Sequence, residues 1–281
     1  VRHEQATAYM ADGYARASGE IGTALVVPGP GLLNASSALS TAYSASSPVL
    51  MVTGQIEKDE IGGDRGMLHE VNDQLDAIKP VTKWAKRMLD PAEVPEIVHE
   101  AFHHLKNGRP RPVEIEIPPE TLAEVGEVEL LEPEAPRPVA APTDQIEAAA
   151  DVLIGAAKPL IWAGGGVISS EGTDALTKLA EFLQAPVVTT AEGKGAISDH
   201  HPLSLGALWL RNDTIARKEF GHDVILAVGT RLVTSQWLDG QKVVQIDIDP
   251  EEIGRGYENT MRVEGDAKMT MENLLTALAA K

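Results

Sequence analysis

The stretch that decides the fold is Thr23-Ala24-Leu25-Val26-Val27-Pro28-Gly29-Pro30-Gly31, an aliphatic run that ends in a Gly-Pro-Gly turn. Residues 23–27 predict a buried strand, and the small residues of 32–43 predict a helix. Glycines let a ligand approach the backbone closely, and the first turn of a helix presents unpaired N–H donors. The stretch therefore predicts either a ligand-binding turn at a sheet edge or a tight strand–helix connection without a ligand.

Predicted strands and helices alternate on both sides of this turn. Residues 5–17 before it predict a helix rich in small residues. After it, predicted strands at 48–53 and 113–117 enclose a Gly-rich loop at 62–66 and an amphipathic helix at 94–105. Strands that alternate with helices favour a parallel sheet with helices on both faces.

The segment 120–142 interrupts this pattern, because it carries several prolines and many acidic residues without hydrophobic periodicity. We therefore expect a linker at 119–142 between two domains, 1–118 and 143–281. Beyond it the alternation resumes, with predicted strands at 159–163, 186–190, 223–228 and 242–248 and predicted helices at 146–154, 176–183 and 271–278. The expected fold class is α/β, with two doubly wound parallel-sheet, Rossmann-like domains.

The composition limits the classes of protein to which the chain can belong. Its 281 residues suit two domains, because a domain typically has about 150 residues. The net charge of −18 argues against a nucleic-acid partner, and no apolar run is long enough to span a membrane. The absence of cysteine excludes disulfides, thiolate nucleophiles and cysteine-ligated zinc. We expect a cytoplasmic protein with neither a nucleic-acid nor a membrane partner.

Glu4 stands at the start of the helix that precedes the Gly-Pro-Gly strand, and further distinctive segments follow it along the chain. These segments are 2–6, 11–16, 29–34, 48–54, 108–113, 229–231 and 246–254. Together they resemble the acetolactate synthase superfamily of thiamine-diphosphate enzymes. The resemblance implies a pyrimidine-binding domain that begins at its catalytic glutamate and lacks its N-terminal strand, followed by the central domain.

By this resemblance Glu4 activates the cofactor, since a buried glutamate of the family promotes the aminopyrimidine tautomer that deprotonates the thiazolium carbon. The small residues around Glu4 suit burial, and burial raises the pKa of a carboxyl group. We therefore expect a buried Glu4 with a raised pKa. The alternative is a glutamate stabilised by the helix dipole. Gly29, Pro30 and Asn34 would line the pyrimidine pocket, unless Asn34 bonds to local backbone.

A second candidate catalytic residue lies in the Gly-rich loop. In acetolactate synthases the matching loop carries Phe-Gln-Glu near the reacting carbon, whereas this chain has Leu68-His69-Glu70. His69 is a candidate proton shuttle for the keto group, because histidine changes its charge near neutral pH. A loop histidine that faces solvent is the alternative. The exchange of Phe and Gln weakens the case for acetolactate-type substrates.

The central domain of the family binds FAD in acetolactate synthases, an ADP or CoA group in acyl-CoA members, and nothing in others. Arg109 and Arg231 resemble flavin-contacting arginines, and Asp247 and Asp249 end a predicted strand where an acid can meet a ribose hydroxyl. Two segments depart from the flavin-dependent pattern, Gly206-Ala207-Leu208-Trp209 and Arg231-Leu232-Val233-Thr234. FAD, an ADP or CoA group, and an unused crevice all remain open.

The family holds the cofactor diphosphate through Mg²⁺, which is bound by a Gly-Asp-Gly segment and a later Asn. This chain has no Gly-Asp-Gly, so we expect no metal ligands in it and a second subunit that supplies the diphosphate-binding domain. The expected function is that of a fragment, inactive alone, of a thiamine-diphosphate-dependent 2-keto-acid decarboxylase or carboligase that forms homodimers or homotetramers. The alternatives are an acyl-CoA lyase or decarboxylase of the same superfamily, and a non-catalytic nucleotide-binding or assembly module.

Overall fold

The structure is a computed structural model that describes residues 1–207, 221–233 and 240–281. The chain forms two compact units, Val1–Arg137 and Pro138–Lys281. The division falls within the predicted linker. Leu208, Trp209 and Thr234, which bear on the comparison with flavin-dependent members, lie outside the described residues.

The first unit contains one parallel sheet whose strands lie in the order β1-β2-β4-β3. Its strands are β1 (Gly22–Val26), β2 (Val49–Gly54), β3 (Trp84–Arg87) and β4 (Val113–Ile117), and its helices are α1 (Gln5–Ser18), α2 (Pro30–Ala45), α3 (Gln74–Ile78), α4 (Val94–Lys106) and α5 (Pro119–Ala123). The predicted linker therefore begins with a short helix. From residue 124 to 142 the chain has no regular secondary structure.

Helices cover both faces of this sheet. One face packs against α1, α2 and α3 through small and aliphatic side chains, among them Ala8, Ala35 and Ile78. The other face packs against α4, whose Ile97 and Ala101 contact the opposite side of β2 and β4. The central strands β2 and β4 are thus buried on both sides, which is typical of parallel sheets.

The second unit contains a parallel sheet in the order β10-β9-β8-β5-β6-β7. Its strands are β5 (Pro159–Ala163), β6 (Val187–Thr189), β7 (Ser204–Ala207), β8 (Val224–Val228), β9 (Lys242–Asp247) and β10 (Thr260–Glu264), and its helices are α6 (Thr143–Ile154), α7 (Gly165–Ser169), α8 (Thr173–Leu183) and α9 (Ala267–Ala279). This is the strand order of the Rossmann fold, with the switch point between β5 and β8. The expected α/β class with two Rossmann-like domains is confirmed.

Candidate cofactor site

The candidate site lies at the carboxyl edge of the first sheet, where ligands of open parallel sheets bind. Gly29 follows β1 with a φ of +56°, a left-handed conformation that favours glycine, and α2 begins at Pro30. Proline suits the first helical position because its φ is already helical and no N–H is lost there. The backbone therefore turns sharply at Gly29 and enters α2 directly.

Glu4 and Asn34 meet beside this turn. Glu4 precedes α1, and its Oε2 accepts a hydrogen bond from Nδ2 of Asn34 at 3.0 Å. Asn34 thus bonds to Glu4, whereas its place in a pyrimidine pocket stays a prediction. Gly31 permits the close approach, because an added Cβ would lie 2.6 Å from Cγ2 of Val27 and 3.7 Å from Cγ of Glu4. Two of the predicted pocket residues therefore lie together.

The expectation that Glu4 is buried with a raised pKa is wrong for this chain. Glu4 is only half-buried. The hydrogen bond from Asn34 is the largest influence and lowers the pKa of the Glu4 carboxyl below its ordinary value, and the residue's own backbone N–H and nearby His3 act in the same direction. Water and a good donor stabilise the carboxylate more than partial burial opposes it.

The loop that carries His69 is organised by its neighbour Glu70. The Glu70 carboxylate accepts backbone N–H bonds from Arg65, Gly66 and Met67 at 2.7–3.3 Å. These bonds, that from Met67 foremost, lower the pKa of the Glu70 carboxyl. A carboxylate that accepts several N–H groups fixes the path of a loop that otherwise has no ladder partners.

This loop packs tightly against the Gly-Pro-Gly turn. His69 has a φ of +69° and is half-buried, and its carbonyl oxygen lies only 2.1 Å from the position that a Cβ on Gly29 would take. Gly29 therefore serves two purposes, a left-handed turn and a close backbone contact. The structure brings His69 to the same edge as Glu4, Pro30 and Asn34, whereas its catalytic role stays a prediction.

A buried polar network supports this edge, and the sequence reasoning missed it. Oε1 of Gln74 accepts from the Gly29 N–H at 2.7 Å, and its Nε2 donates to Oε2 of Glu116 at 2.7 Å. The other oxygen of Glu116 accepts from Arg87 and, at 3.2 Å, from Gln55. The signal was the Val-Glu-Ile-Glu-Ile sequence of β4, in which two acids interrupt an apolar strand that is buried on both faces.

Glu114 is the second acid of that strand, and it lies fully buried on the same face as Glu116. Neither carboxyl oxygen has a hydrogen-bond partner of normal geometry in the part of the chain that the structure describes, and the hydroxyl of Thr53 only partly offsets the effect of burial on its pKa. Burial, and then the neighbouring Glu116, raise the pKa of Glu114 well above its ordinary value. A carboxyl group in these surroundings is held in its neutral form.

Arg109 lies elsewhere in the first unit. It precedes β4 and therefore lies toward the amino edge of the sheet, where its Nε donates to Oγ of Ser46 at 3.0 Å. The turn at Gly29 is at the opposite edge. The structure thus separates Arg109 from the other predicted residues of its unit, and its assignment to a nucleotide stays a prediction.

The other predicted nucleotide contacts lie at the carboxyl edge of the second sheet. Arg231 follows β8, and Asp247 and Asp249 come at the end of the neighbouring β9. The carboxylate of Asp247 accepts the N–H of Asp249 at 3.0 Å, and that of Asp249 accepts the N–H of Glu251 at 3.1 Å. Both acids therefore stabilise the local turn, which is what short acidic side chains commonly do.

The glycines at the switch point have a packing role. A Cβ on Gly164 would lie 2.2 Å from the carbonyl oxygen of Gly229, and a Cβ on Gly166 would lie 2.6 Å from the Gly229 Cα. The turn after β5 thus contacts the turn after β8 directly. Backbone packing alone accounts for these glycines, so they do not by themselves indicate a bound nucleotide.

Metal-ligand clusters and membrane-spanning helices are both absent from the described part of the chain. Within residues 1–207, 221–233 and 240–281, no group of three or more His, Cys, Asp or Glu side chains is arranged to hold a metal ion. In the same ranges, no helix is both long and apolar enough to cross a membrane.

Comparison with known proteins covers most of the chain. Residues 1–77 match the family of thiamine pyrophosphate enzyme N-terminal TPP binding domains, and residues 146–274 match the thiamine pyrophosphate enzyme central domain. A probable acetolactate synthase large subunit of Methanocaldococcus jannaschii is 38% identical over 99% of this chain and 49% of its own length. An acetolactate synthase of Arthrospira platensis is 37% identical over 98% of the chain and 50% of its own length.

A probable 2-ketoarginine decarboxylase of Pseudomonas aeruginosa is also similar, at 35% identity over 99% of this chain and 50% of its own length. The chain therefore spans about half the length of these curated relatives. The matched domains follow one another in the order that the two sheets have in the structure. The chain belongs to the thiamine-diphosphate enzymes of the acetolactate synthase superfamily and carries their N-terminal and central domains.

Proposed function

We propose that the carboxyl edge of the first sheet binds the pyrimidine half of thiamine diphosphate in a 2-keto-acid decarboxylase or carboligase. The observation that carries the proposal is the hydrogen bond between Asn34 and Glu4 beside the Gly29 turn. Glu4 at the start of α1 thus meets Asn34 in the first turns of α2, which begins directly after Gly29. Asn34 bonds to Oε2 of Glu4, so Oε1 is the oxygen that we assign to a ring nitrogen.

Glu4 is the proposed acid of the reaction. When bound, thiamine diphosphate would supply the nucleophile for a 2-keto acid, which is its thiazolium carbon after the loss of a proton. Oε1 of Glu4 would hold a proton at a nitrogen of the aminopyrimidine ring, while Oε2 stays bonded to Asn34. A ring that covers Glu4 removes water from the carboxyl group and raises its pKa from the lowered value of the open site. This change brings the acid toward the range in which it transfers a proton near neutral pH.

His69 is the proposed proton shuttle for the substrate. Its loop is fixed by Glu70, and its backbone contacts the Gly29 turn, so the residue lies at the same edge as Glu4. Leu68 beside it is 81% exposed and takes the place of an aromatic residue of acetolactate synthases. The names of the relatives include both acetolactate synthases and a 2-ketoarginine decarboxylase, which supports a 2-keto acid as the substrate class. The proposal covers both decarboxylation and carboligation of such an acid.

A metal ion and a second cofactor are also part of the proposed function. A diphosphate needs a metal or a cationic clamp. We propose Mg²⁺ as that metal, held by ligands on a second subunit that supplies the diphosphate-binding domain, in a cytoplasmic homodimer or homotetramer. FAD, or an ADP or CoA group, is proposed for the carboxyl edge of the second sheet, near Arg231, Asp247 and Asp249.

The test is turnover of 2-keto acids by the protein as its gene encodes it, with thiamine diphosphate and Mg²⁺ added. Carbon dioxide release from pyruvate and from longer 2-keto acids is compared for wild type, Glu4→Gln and the control Glu20→Gln. Glu20 is exposed beyond the end of α1, so it controls for the charge change. We expect Glu4→Gln to lose at least about 100-fold, the usual contribution of an acid–base group. A near-normal rate in Glu4→Gln would rule out the role of Glu4.

Calorimetry distinguishes the rival functions. Binding of FAD favours an acetolactate synthase-like enzyme, and binding of ADP or CoA favours an acyl-CoA lyase or decarboxylase. A protein that binds none of these and releases no carbon dioxide from any 2-keto acid favours the non-catalytic module.

A further inference from the structure

Gln74 connects three separate parts of the carboxyl edge through one side-chain amide. It is 2% exposed. Its Oε1 accepts the N–H of Gly29 at 2.7 Å, and its Nε2 donates to the carbonyl of Gly54 at 3.1 Å and to Oε2 of Glu116 at 2.7 Å. Only the NH₂ group can face two acceptors, so the orientation of the amide is fixed. Gln74 therefore links β4 and the end of β2 to the turn after β1.

The anchor of this link is rigid. Glu116 is fully buried, and its second oxygen accepts hydrogen bonds from Arg87 on β3 and from Gln55 after β2. Both carboxylate oxygens are therefore occupied by donors from different elements. Hydrogen bonds to an ionised group are stronger than neutral ones, so Gln74 is held by a fixed partner.

The turn that Gln74 holds has little room to move. The carbonyl of His69 fills the space beside Gly29, and Gly31 lies between Val27 and Glu4. A shift of the turn toward the loop would displace the His69 backbone, and a shift the other way would displace α2 and with it Asn34. The position of the Gly29 N–H therefore fixes the turn between the His69 loop and α2, the two elements that flank the candidate pocket.

We propose that Gln74 is a positioning residue for the cofactor pocket, which holds the Gly29 turn at the place that pyrimidine binding requires. The identity of the ligand rests on the proposed function, whereas the fixing of the turn does not. Gln74 itself is buried beneath the turn, so its effect on a ligand is exerted through Gly29.

A matched pair of variants tests this role in the protein as its gene encodes it. Gln74→Met removes the link to Gly29. Gln55→Met is the control, because Gln55 is also buried and also donates to Glu116, but its Oε1 accepts from Ile56 and not from the turn. Arg87 still donates to the same oxygen of Glu116 in this variant, so the partner of Gln74 stays in place. The measurements are the calorimetric Kd for thiamine diphosphate with Mg²⁺, the hydrogen exchange rate of the Gly29 amide, and the melting temperature.

We expect Gln74→Met to weaken binding and to speed Gly29 exchange, each by about tenfold, since a buried N–H then lacks its partner. Gln55→Met should lower the melting temperature to a similar extent but change both other quantities less than about twofold. Equal Kd and equal Gly29 exchange for the two variants would overturn the proposal, because the role of Gln74 would then be general stability.

Two further outcomes are decisive. Should Gln74→Met not fold, Gln74→Asn replaces it, because the shorter side chain keeps the amide but cannot bridge Gly29 and Glu116. Wild-type protein that binds no thiamine diphosphate refutes the proposed ligand, while Gly29 exchange still decides whether Gln74 fixes the turn.

Discussion

Replacement of Gly29 by alanine tests how closely the turn and the His69 loop are packed. Alanine at the backbone angles of Gly29, φ +56° and ψ −111°, costs about 1–3 kcal/mol relative to glycine. At Gly29 the new Cβ would also lie 2.1 Å from the carbonyl oxygen of His69, so backbone must move. Forcing extra volume into a packed site costs about 1–3 kcal/mol more. We therefore expect Gly29→Ala to lose about 2–6 kcal/mol of unfolding free energy.

The control is Gly19→Ala at the end of α1. Gly19 has a φ of +78°, and no atom lies within 4 Å of the position of its Cβ. This variant should therefore lose only the conformational part, about 1–2 kcal/mol. Urea denaturation followed by circular dichroism gives both values, provided that the slopes are equal. Equal losses for the two variants would refute the close contact between Gly29 and His69.

Two further predictions use the titrating groups. Glu114→Gln should gain stability over wild type as pH rises from 5 to 8. The unfolded Glu114 is already largely ionised at pH 5, whereas the folded one stays neutral up to its raised pKa. Wild type therefore loses up to about 1.4 kcal/mol per pH unit until that pKa is reached. A difference in urea midpoint that does not change with pH would contradict this. Asn34→Ala should raise the pKa of Glu4, measured by carboxyl NMR titration, because the main group that lowers it is removed. Wild type loses unfolding free energy as pH falls through the lowered pKa of Glu4, and Asn34→Ala should lose less of it over the same range. An unchanged Glu4 pKa in the variant would show that the bond between Asn34 and Glu4 is absent in solution.

The central strands and the edge strand β1 were predictable from the sequence, whereas the other edge strands were not. Residues 113–117 and 159–163 match β4 and β5, because strands that are buried on both faces read as apolar runs. The strands missed were β3, β7 and β10, each at the edge of its sheet. Edge strands are short and carry charges, as in Trp84-Ala85-Lys86-Arg87, so their periodicity is weak.

The candidate site was predicted in part. Glu4, Gly29, Pro30, Asn34 and His69 were identified, and the structure brings them to one edge of the sheet. The environment of Glu4 was not predicted, because its half-exposure and its bond to Asn34 depend on how α1 and α2 pack.

The support of the turn by Gln74 was also missed. Its contacts reach Gly29, Gly54 and Glu116, which are 45, 20 and 42 residues away in sequence. A glutamine at the start of a short helix carries no local signal that it will be buried. Contacts of this kind come from tertiary structure, and no hydrophobic period encodes them.

The most direct test of the account is the rate at which the thiazolium carbon of bound thiamine diphosphate exchanges its proton for deuterium. The rate is measured by NMR in the protein as its gene encodes it, for wild type, Glu4→Gln and the control Glu20→Gln. We predict that Glu4→Gln slows the exchange by at least about 100-fold, because the acid that acts on the pyrimidine ring is lost, while Glu20→Gln exchanges as wild type does. Equal exchange rates in wild type and Glu4→Gln would contradict the central claim that Glu4 activates the cofactor.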